Sequence, residues 1–422
     1  MTTPHPSRLS RRRLLGLAGS GAALGAAGFA GGLETARAAE GRAGDGLASI
    51  VPFHGSHQAG IVTQAQDRLH FAAYDVTAST RTELVELLRA WTAAAVQMTQ
   101  GQPVGDGTPL PYDAPPADTG DATDLPPSRL TLTFGFGPGL FGDGDRFGIA
   151  DRQPRALRRL PHFPADNLDP ARSDGDLCVQ ACADDPQVAV HAIRNLTRIG
   201  FGTAALRWAQ LGFGRTSSTS TAQLTPRNLF GFKDGTANLK AEQPDAVAEH
   251  VWVGADDDPR AGWLSGGSYL VARRINMQIE TWDRTSLREQ EALIGRDRRN
   301  GAPLSGGTEF SQPDLAMTGS DGTPIVPLDA HVRLAHPSQN NGVQMLRRGY
   351  NFTDGNDPFG RLDAGLFFIA YVRNPDTQYI PMQTRMARED GLMEYLQHTG
   401  SGLFAVPPGI RPGGFVGDTL LG

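Results

Sequence analysis

Hydrophobic positions between residues 61 and 212 follow first the period of a strand and then the period of a helix, several times in succession. Alternating or continuously apolar runs predict strands at 61–76, 129–136, 177–183 and 204–212. Apolar residues three or four apart predict helices at 82–98 and 186–199. The order strand-helix-strand-strand-helix-strand is that of a ferredoxin-like domain, in which helices pack on an antiparallel sheet.

The second half of the chain repeats this order less regularly. Its predicted strands are 268–282, 366–372 and 402–405, and its predicted helices are 287–294 and 381–397. A Ser/Thr-rich stretch at 215–222 has the composition of a linker. We therefore predict an α+β fold of two tandem ferredoxin-like domains, at residues 39–215 and 216–422.

Residues 1–38 have the features of a twin-arginine signal peptide. Consecutive arginines at 11–13 precede an apolar, Gly/Ala-rich run, and Ala-Arg-Ala at 36–38 supplies the small residues that a signal peptidase requires. Because glycines interrupt the run, it is a weak candidate for a membrane anchor. We expect export of the folded protein to the periplasm or the medium, with no stable membrane insertion after cleavage.

The charge of the chain bears on its partners. The formal net charge is −6, although residues 1–38 contain five arginines and one glutamate. The part expected to remain after cleavage is therefore more acidic than the whole chain. Such a surface does not attract a phosphate backbone, so we do not expect nucleic acid as a partner.

The two cysteines, Cys178 and Cys182, lie four residues apart on one predicted strand. Residues with this spacing share a face of a strand but are separated by roughly 13 Å, which is too far for a disulfide. We predict two buried structural thiols.

Two stretches interrupt the regular pattern and carry unusual polar residues. In the first, Gly231 and Gly235 enclose Asp234 in flexible backbone. One interpretation is a turn that the Asp234 carboxylate caps. The other is a carboxylate aimed into a cavity, where it accepts a proton and returns it, with glycines allowing close approach of a flat ligand.

The second stretch, residues 329–352, carries His331, His336, Arg347 and Arg348. Histidine is the commonest metal ligand among side chains, but a single histidine is also a frequent surface or core residue. The two arginines lie between apolar residues, so at least one is expected to point inward towards an anionic partner. His54 and His57 are expected to order a loop near the start of the predicted mature chain.

Several segments of the chain, in order, resemble the dye-decolourising peroxidases. The segment Gly-Phe-Lys-Asp-Gly-Thr at 231–236 is similar to the family's G-x-x-D-G signature. The family's proximal-histidine and distal-arginine region resembles two further segments, at residues 331–337 and 345–350. Residues 52–61, 176–185, 267–275 and 294–296 resemble further segments of the exported bacterial class. The resemblance extends over nearly all of residues 50–410.

The resemblance implies two ferredoxin-like domains that enclose one haem b per chain, bound mainly by the second domain. His331 would be the axial iron ligand, with His336 as its only serious rival. Asp234 would be the acid–base residue on the peroxide side, with Arg347 beside it, or Arg348 if the alignment slips by one residue. A carboxylate can relocate the proton of a peroxide, and a guanidinium stabilises the charge that develops on the departing oxygen.

Further residues receive roles from the same resemblance. Asn238 falls where some members have a distal asparagine, and Arg296 is expected to hold a haem propionate. Glu394 is expected to bond the second nitrogen of the axial histidine. Residues expected to line the haem are Gly235, Thr236, Ala237, His336, Pro337 and Ser338.

The implied activity is oxidation of dyes, phenols, other organic reductants or a metal ion by hydrogen peroxide, through a ferryl intermediate. Electrons from bulky reductants would have to pass through aromatic side chains, but each candidate is first predicted to be a core residue. These candidates are Trp208, Trp252, Trp263, Trp282, Tyr350 and Tyr371. Family members commonly self-associate, so a homo-oligomer is compatible with the resemblance.

Two other functions stay open at this point. One is an exported haem-handling or iron-acquisition protein of the deferrochelatase kind. The other is a binding module without turnover, in which Asp234 is only a turn residue.

Overall fold

The computed structural model describes residues 46–108, 111–142 and 144–422, so the predicted signal peptide at 1–38 lies outside the described residues. The chain divides into two units, and every labelled strand and helix belongs to the unit Ile50–Gly422. Within the described residues, no helix has the length and apolar character needed to span a membrane.

The first half of the chain folds in the predicted order. Its elements are β1 (Arg68–Val76), α1 (Arg81–Thr99), β2 (Thr131–Phe136), β3 (Leu177–Ala183), α2 (Pro186–Ile199) and β4 (Ala204–Arg215). The strands pair antiparallel in the order β2-β3-β1-β4. Thr80 and Glu83 form a capping box that starts α1, and Asp185 caps α2.

The second half contains the remaining strands and helices. They are α3 (Pro244–His250), β5 (Ser268–Met277), α4 (Ile279–Trp282), α5 (Leu287–Ile294), α6 (His331–Leu334), β6 (Leu346–Arg347), β7 (Tyr350–Asn356), β8 (Leu362–Val372), α7 (Tyr379–Glu389), β9 (Leu396–Val406) and α8 (Asp418–Leu421). Short 3-10 helices lie at Pro138–Phe141, Ala150–Arg152, Pro170–Arg172, Pro259–Leu264, Pro337–Gln339 and Gly391–Tyr395.

The two halves have the same strand order and share one sheet. In the second half the order is β7-β8-β5-β9, which matches β2-β3-β1-β4 position by position. β4 pairs with β7, and β9 pairs with β2, so the strands close into a ring. This arrangement confirms the predicted fold class. β4 ends at Arg215, but the domain boundary placed there stays a prediction, because the two halves share a continuous sheet.

The inside of the ring is an aromatic and aliphatic core. Phe71 of β1 lies 5.3 Å from Phe367 of β8 and 6.1 Å from Phe404 of β9, measured between ring centroids. Cys178 and Cys182 are free and buried in the same cluster, as predicted. Because successive side chains of a strand point to opposite faces, Leu366 and Phe368 point away from this core. They line a cavity on the outer side of the second half.

Several predicted element boundaries were wrong, and three of them bear on the cavity or on the entry to the first sheet. The first strand begins at Arg68 rather than at residue 61. β5 ends at Met277, because the following residues turn into α4, where the Trp282 ring stacks on Phe230 at 4.2 Å. The helix predicted at 381–397 ends at Glu389, since Asp390 has extended backbone and starts a 3-10 helix that leads into β9.

A buried charge cluster lies beside the cavity. Arg273 and Asp166 form an ion pair in which neither side chain is exposed. The imidazole of His398, which also lines the cavity, is buried close to this pair. Burial, and then the positive charge of Arg273, lower the pKa of His398 to about 3. The folded protein therefore holds this imidazole in its neutral form.

We expect this histidine to make the fold sensitive to acid. The pKa of His398 falls from 6.5 to about 3 on folding. Stability is therefore unaffected above pH 6.5 and is lost as pH falls towards 3, because the unfolded chain takes up a proton that the folded chain excludes. Between about pH 7 and about pH 5, the wild-type free energy of unfolding in urea should fall by ~2 kcal/mol more than that of His398→Gln. Equal decreases in the two proteins would contradict the neutral buried state.

Candidate active site

A cavity of about 900 Å³ lies on the outer side of the second half's sheet. Its described lining residues all lie between Ser218 and His398. They come from the strands β5, β6, β8 and β9, from the helices α5, α6 and α7, and from the loops between these elements. This volume is at the upper end of pockets that enclose drug-sized molecules, about 300–1,000 Å³. The lining is largely apolar, with polar groups concentrated around Asp234, Arg347 and His331.

Asp234 and Arg347 form an ion pair at the cavity wall. Oδ1 of Asp234 lies 2.9 Å from Nη1 of Arg347, and Asn228 Nδ2 donates to Oδ2 of Asp234 at 3.2 Å. Gly235 follows with a φ of +85°, and a Cβ there would lie 2.8 Å from the backbone of Ser217. Only glycine fits that position without displacement, so the turn that aims Asp234 into the cavity is fixed by its sequence.

The strand β6 decides which of the two consecutive arginines faces the cavity. Arg347 pairs across from Ala370 of β8 and directs its guanidinium to Asp234. Arg348 points to the opposite side, where it is 1% exposed and donates to the Thr63 carbonyl and the Gln66 side chain. The structure therefore brings Arg347 to Asp234, and the alternative alignment with Arg348 is wrong.

Asn238 lines the cavity, and its side-chain amide bonds to the backbone on either side of it. Its Nδ2 donates to the carbonyls of Ser218 (3.0 Å) and Arg347 (2.9 Å), and its Oδ1 accepts from the Arg347 backbone N–H at 2.7 Å. Both amide hydrogens are thus committed to backbone oxygens. In this structure Asn238 positions the Arg347 backbone, and the expectation of a catalytic role on the distal side stays a prediction.

His331 also faces the cavity and is held by a carboxylate. Its Nδ1 lies 2.7 Å from Oδ2 of Asp390, whose side chain is fully buried. Burial acts to lower the pKa of His331, but the charge and hydrogen bond of Asp390 outweigh it, so the pKa is raised. With Nδ1 committed to Asp390, Nε2 is the nitrogen left to bind a metal, the usual arrangement for a ligating histidine.

The assignment of this carboxylate to Glu394 was wrong. Glu394 is exposed, whereas Asp390 accepts from the Leu392 backbone N–H and turns its other oxygen to His331. The error follows from extending the helix through residue 397. The Asp-Gly pair at 390–391 is a stop signal that identifies where the helix ends.

Most of the residues expected to line a haem do line the cavity. These are Gly235, Thr236, Ala237, Arg296, His336 and Pro337. Ser338 does not, since it is exposed and its hydroxyl bonds Nδ1 of His336 at 2.8 Å. Arg296 is 8% exposed, and its Nη1 donates to the carbonyls of Gly301 and Glu309. Desolvation lowers the pKa of Arg296, which makes an anionic group in the cavity a favourable partner for it.

The structure adds site residues that the sequence patterns did not indicate. Nζ of Lys240 donates to the Ser218 carbonyl at 2.7 Å, and burial followed by the charge of Arg347 lowers its pKa to about 8. Glu309 pairs with Lys233 and accepts from Thr236 at 3.3 Å. All of these residues line the cavity. They lie in loops without periodicity, so no sequence signal distinguished them from solvent-exposed charges.

The residues present fit a haem. A largely apolar cavity, one histidine with a carboxylate on its second nitrogen, and a buried arginine facing the cavity are the groups that a flat, iron-containing, dianionic ligand requires.

Comparisons with known proteins agree with this geometry. The family models "Dyp-type peroxidase, N-terminal" and "Dyp-type peroxidase, C-terminal" match residues 58–214 and 225–411. The chain belongs to the Dyp-type peroxidase family. It is thus a haem peroxidase, an enzyme whose substrates are a peroxide and a reductant.

Individual relatives of this peroxidase match over most of their length. A deferrochelatase of Escherichia coli (strain K12) is 37% identical, over 98% of this chain and 97% of that protein. A Dyp-type peroxidase of Streptomyces coelicolor has a TM-score of 0.81 at 41% identity, over 89% of this chain and 98% of that one. A Dyp-type peroxidase of Cellulomonas bogoriensis has a TM-score of 0.79 at 40% identity, over 89% and 99%.

The contact between Asp390 and His331 should be visible in the reduction potential of the haem-loaded peroxidase. Asp390→Asn keeps an acceptor for the Leu392 N–H but removes the negative charge beside His331. A less basic axial imidazole stabilises ferric iron less, so the ferric/ferrous midpoint should rise by tens of millivolts. The matched control is Glu394→Gln, which should leave the midpoint unchanged. A shift in the control but not in Asp390→Asn would restore the original assignment.

Proposed function

We propose that this peroxidase uses hydrogen peroxide to oxidise an organic reductant such as a phenol or a dye, with one haem b per chain held by His331. The observation that carries the proposal is the 2.9 Å ion pair between Asp234 and Arg347 on the wall of the cavity that also presents His331. A base and a fixed cation side by side are what heterolysis of a peroxide bond requires.

Each residue has a definite task in this proposal. The haem, when bound, supplies the iron and porphyrin that take up the oxidising equivalents of the peroxide. Asp234 accepts a proton from one peroxide oxygen and returns it to the other, which leaves as water. Arg347 stabilises the negative charge that develops on the departing oxygen. Asp390 holds the His331 imidazole in the orientation and tautomer in which Nε2 can coordinate.

The positive charge at this part of the cavity is larger than Arg347 alone provides. Lys240 lies in the same wall, close enough to Arg347 that the two charges interact. Its ammonium is held by the Ser218 carbonyl and hydroxyl, at 2.7 and 2.6 Å. It therefore adds a second positive charge to the wall that carries Asp234 and Arg347.

Removing both members of the Asp234–Arg347 pair tests the proposal. For haem-loaded Asp234→Asn/Arg347→Gln, the rate of the Soret change with hydrogen peroxide should fall by about 10²–10⁴, the usual contribution of a positioned acid–base group. Haem content should be nearly unchanged, because His331 and the apolar lining remain. Stopped-flow absorption measures the rate.

The matched control replaces an ion pair of the same chemistry away from the cavity. Asp257 and Arg373 lie 2.6 Å apart, and neither is a lining residue. Asp257→Asn/Arg373→Gln should react with peroxide at the wild-type rate. If the cavity double variant also keeps the full rate, Asp234 and Arg347 do not activate peroxide. The two single variants then apportion the effect between the acid–base residue and the cation.

A second candidate function is removal of iron from haem, which the 37% identity to a deferrochelatase favours. The two functions differ in their products. Iron removal leaves a fluorescent metal-free porphyrin, whereas peroxidase turnover leaves the haem intact and an oxidised reductant. Porphyrin fluorescence that appears without peroxide would favour the second function.

A further inference from the structure

Methionine is concentrated around one cavity of this protein. The chain has eight methionines. Five of them line the cavity that holds Asp234 and His331, namely Met277, Met345, Met382, Met386 and Met393. Of the other three, Met98 is buried in the core of the first half, Met317 is 45% exposed in a loop, and Met1 lies outside the described residues.

The five thioethers come from separate parts of the second half. Met277 ends β5, and Met345 lies two residues before Arg347. Met382 and Met386 are four residues apart on α7, so they share one face of that helix. Met393 lies in the 3-10 helix that Asp390 caps. Thioethers therefore reach the cavity both near the Asp234–Arg347 pair and near the axial histidine.

Packing alone does not account for this choice of residue. Methionine fills irregular apolar space, but leucine and phenylalanine provide the same hydrophobicity, and both also occur in the lining. The difference is that a thioether is readily oxidised to a sulfoxide. Among the described lining residues there is no Trp and no Cys, and Tyr379 is the one tyrosine. The thioethers are thus the main groups in the cavity that can accept an oxygen atom.

We propose that these five methionines are an internal reductant and a modification site of the enzyme. When peroxide reaches the cavity and no external reductant is present, oxygen is transferred to their sulfur rather than to the porphyrin or to His331. In the net reaction, which we expect only in the haem-loaded enzyme, the O–O bond breaks, a sulfur lone pair forms the S–O bond, and the other oxygen leaves with both protons as water. The sulfur loses two electrons, and the peroxide gains two. This inference rests on the proposed peroxide chemistry of the site.

The test follows oxygen residue by residue in the wild-type haem-loaded enzyme. The enzyme is treated with a small molar excess of hydrogen peroxide, with and without excess phenol, and peptide mass spectrometry measures the sulfoxide fraction at each methionine. Without phenol, the five cavity methionines should exceed Met98 several-fold, including Met277, which is buried to nearly the same degree as Met98. Phenol should lower the cavity values several-fold. In haem-free protein the cavity methionines should be oxidised no faster than Met317, which reports direct oxidation by free peroxide.

The outcomes separate this inference from the proposed function. A Soret band that responds to peroxide while the cavity methionines match Met98 would overturn the inference and leave the proposed function standing. A Soret band that does not respond would remove the proposed function itself. Equal cavity oxidation with and without haem would also overturn the inference, since free peroxide would then be sufficient.

A pair of variants gives a second, independent readout. Met382→Leu/Met386→Leu keeps the apolar face of α7 but removes two thioethers, so haem bleaching per equivalent of peroxide should rise several-fold. Met317→Leu is the matched control and should bleach like the wild type. Identical bleaching in all three proteins would contradict a protective role. If the double variant does not fold, the sulfoxide fractions measured in the wild-type enzyme are sufficient to test the inference.

Discussion

The side-chain amide of Asn238 bonds both backbone groups of Arg347: it donates to the Arg347 carbonyl and accepts from the Arg347 N–H. The geometry around Asp234 depends on this contact. Arg347 belongs to a strand of two residues, which by itself would fix orientation poorly. If the Arg347 backbone turned over, its partly buried N–H and C=O would both lose their bonds to Asn238, at a cost of up to about 1–3 kcal/mol each. One amide therefore joins the loop that carries the carboxylate to the strand that carries the cation.

The first half of the chain supports the same strand from its other side, although none of the first half's described residues lines the cavity. The fully buried Arg348 reaches back to Thr63 and Gln66, which precede β1. Among the described residues it donates to carbonyl and amide oxygens and to no carboxylate. A buried cation held in this way is costly unless these bonds are kept. The two consecutive arginines thus point to opposite sides of the strand. Arg348 anchors the strand to the first half, and Arg347 presents its guanidinium to Asp234.

This arrangement explains what could be predicted from the sequence and what could not. The repeated strand-helix order determines the fold class, because periodicity reports which face of each element is buried. Asp234 and His331 lie in polar stretches that interrupt the pattern, but the pattern left their roles open, and those roles were assigned by the resemblance to the peroxidase family. Choosing between Arg347 and Arg348 requires the pairing of β6 with β8, since both side chains are flanked by similar residues. Asp390 was missed because the predicted helix at 381–397 was extended past its true end at Glu389. Lys240 was missed because its loop has no hydrophobic periodicity that would mark it as part of a site.

The contact between Asp390 and His331 also bears on which chemistry the cavity favours. A carboxylate on the second nitrogen makes the imidazole a stronger ligand and stabilises iron in its higher oxidation states. The buried position of Asp390, with one oxygen fixed by the Leu392 N–H, holds this contact in a single geometry. The histidine side of the cavity is therefore suited to the proposed peroxide chemistry.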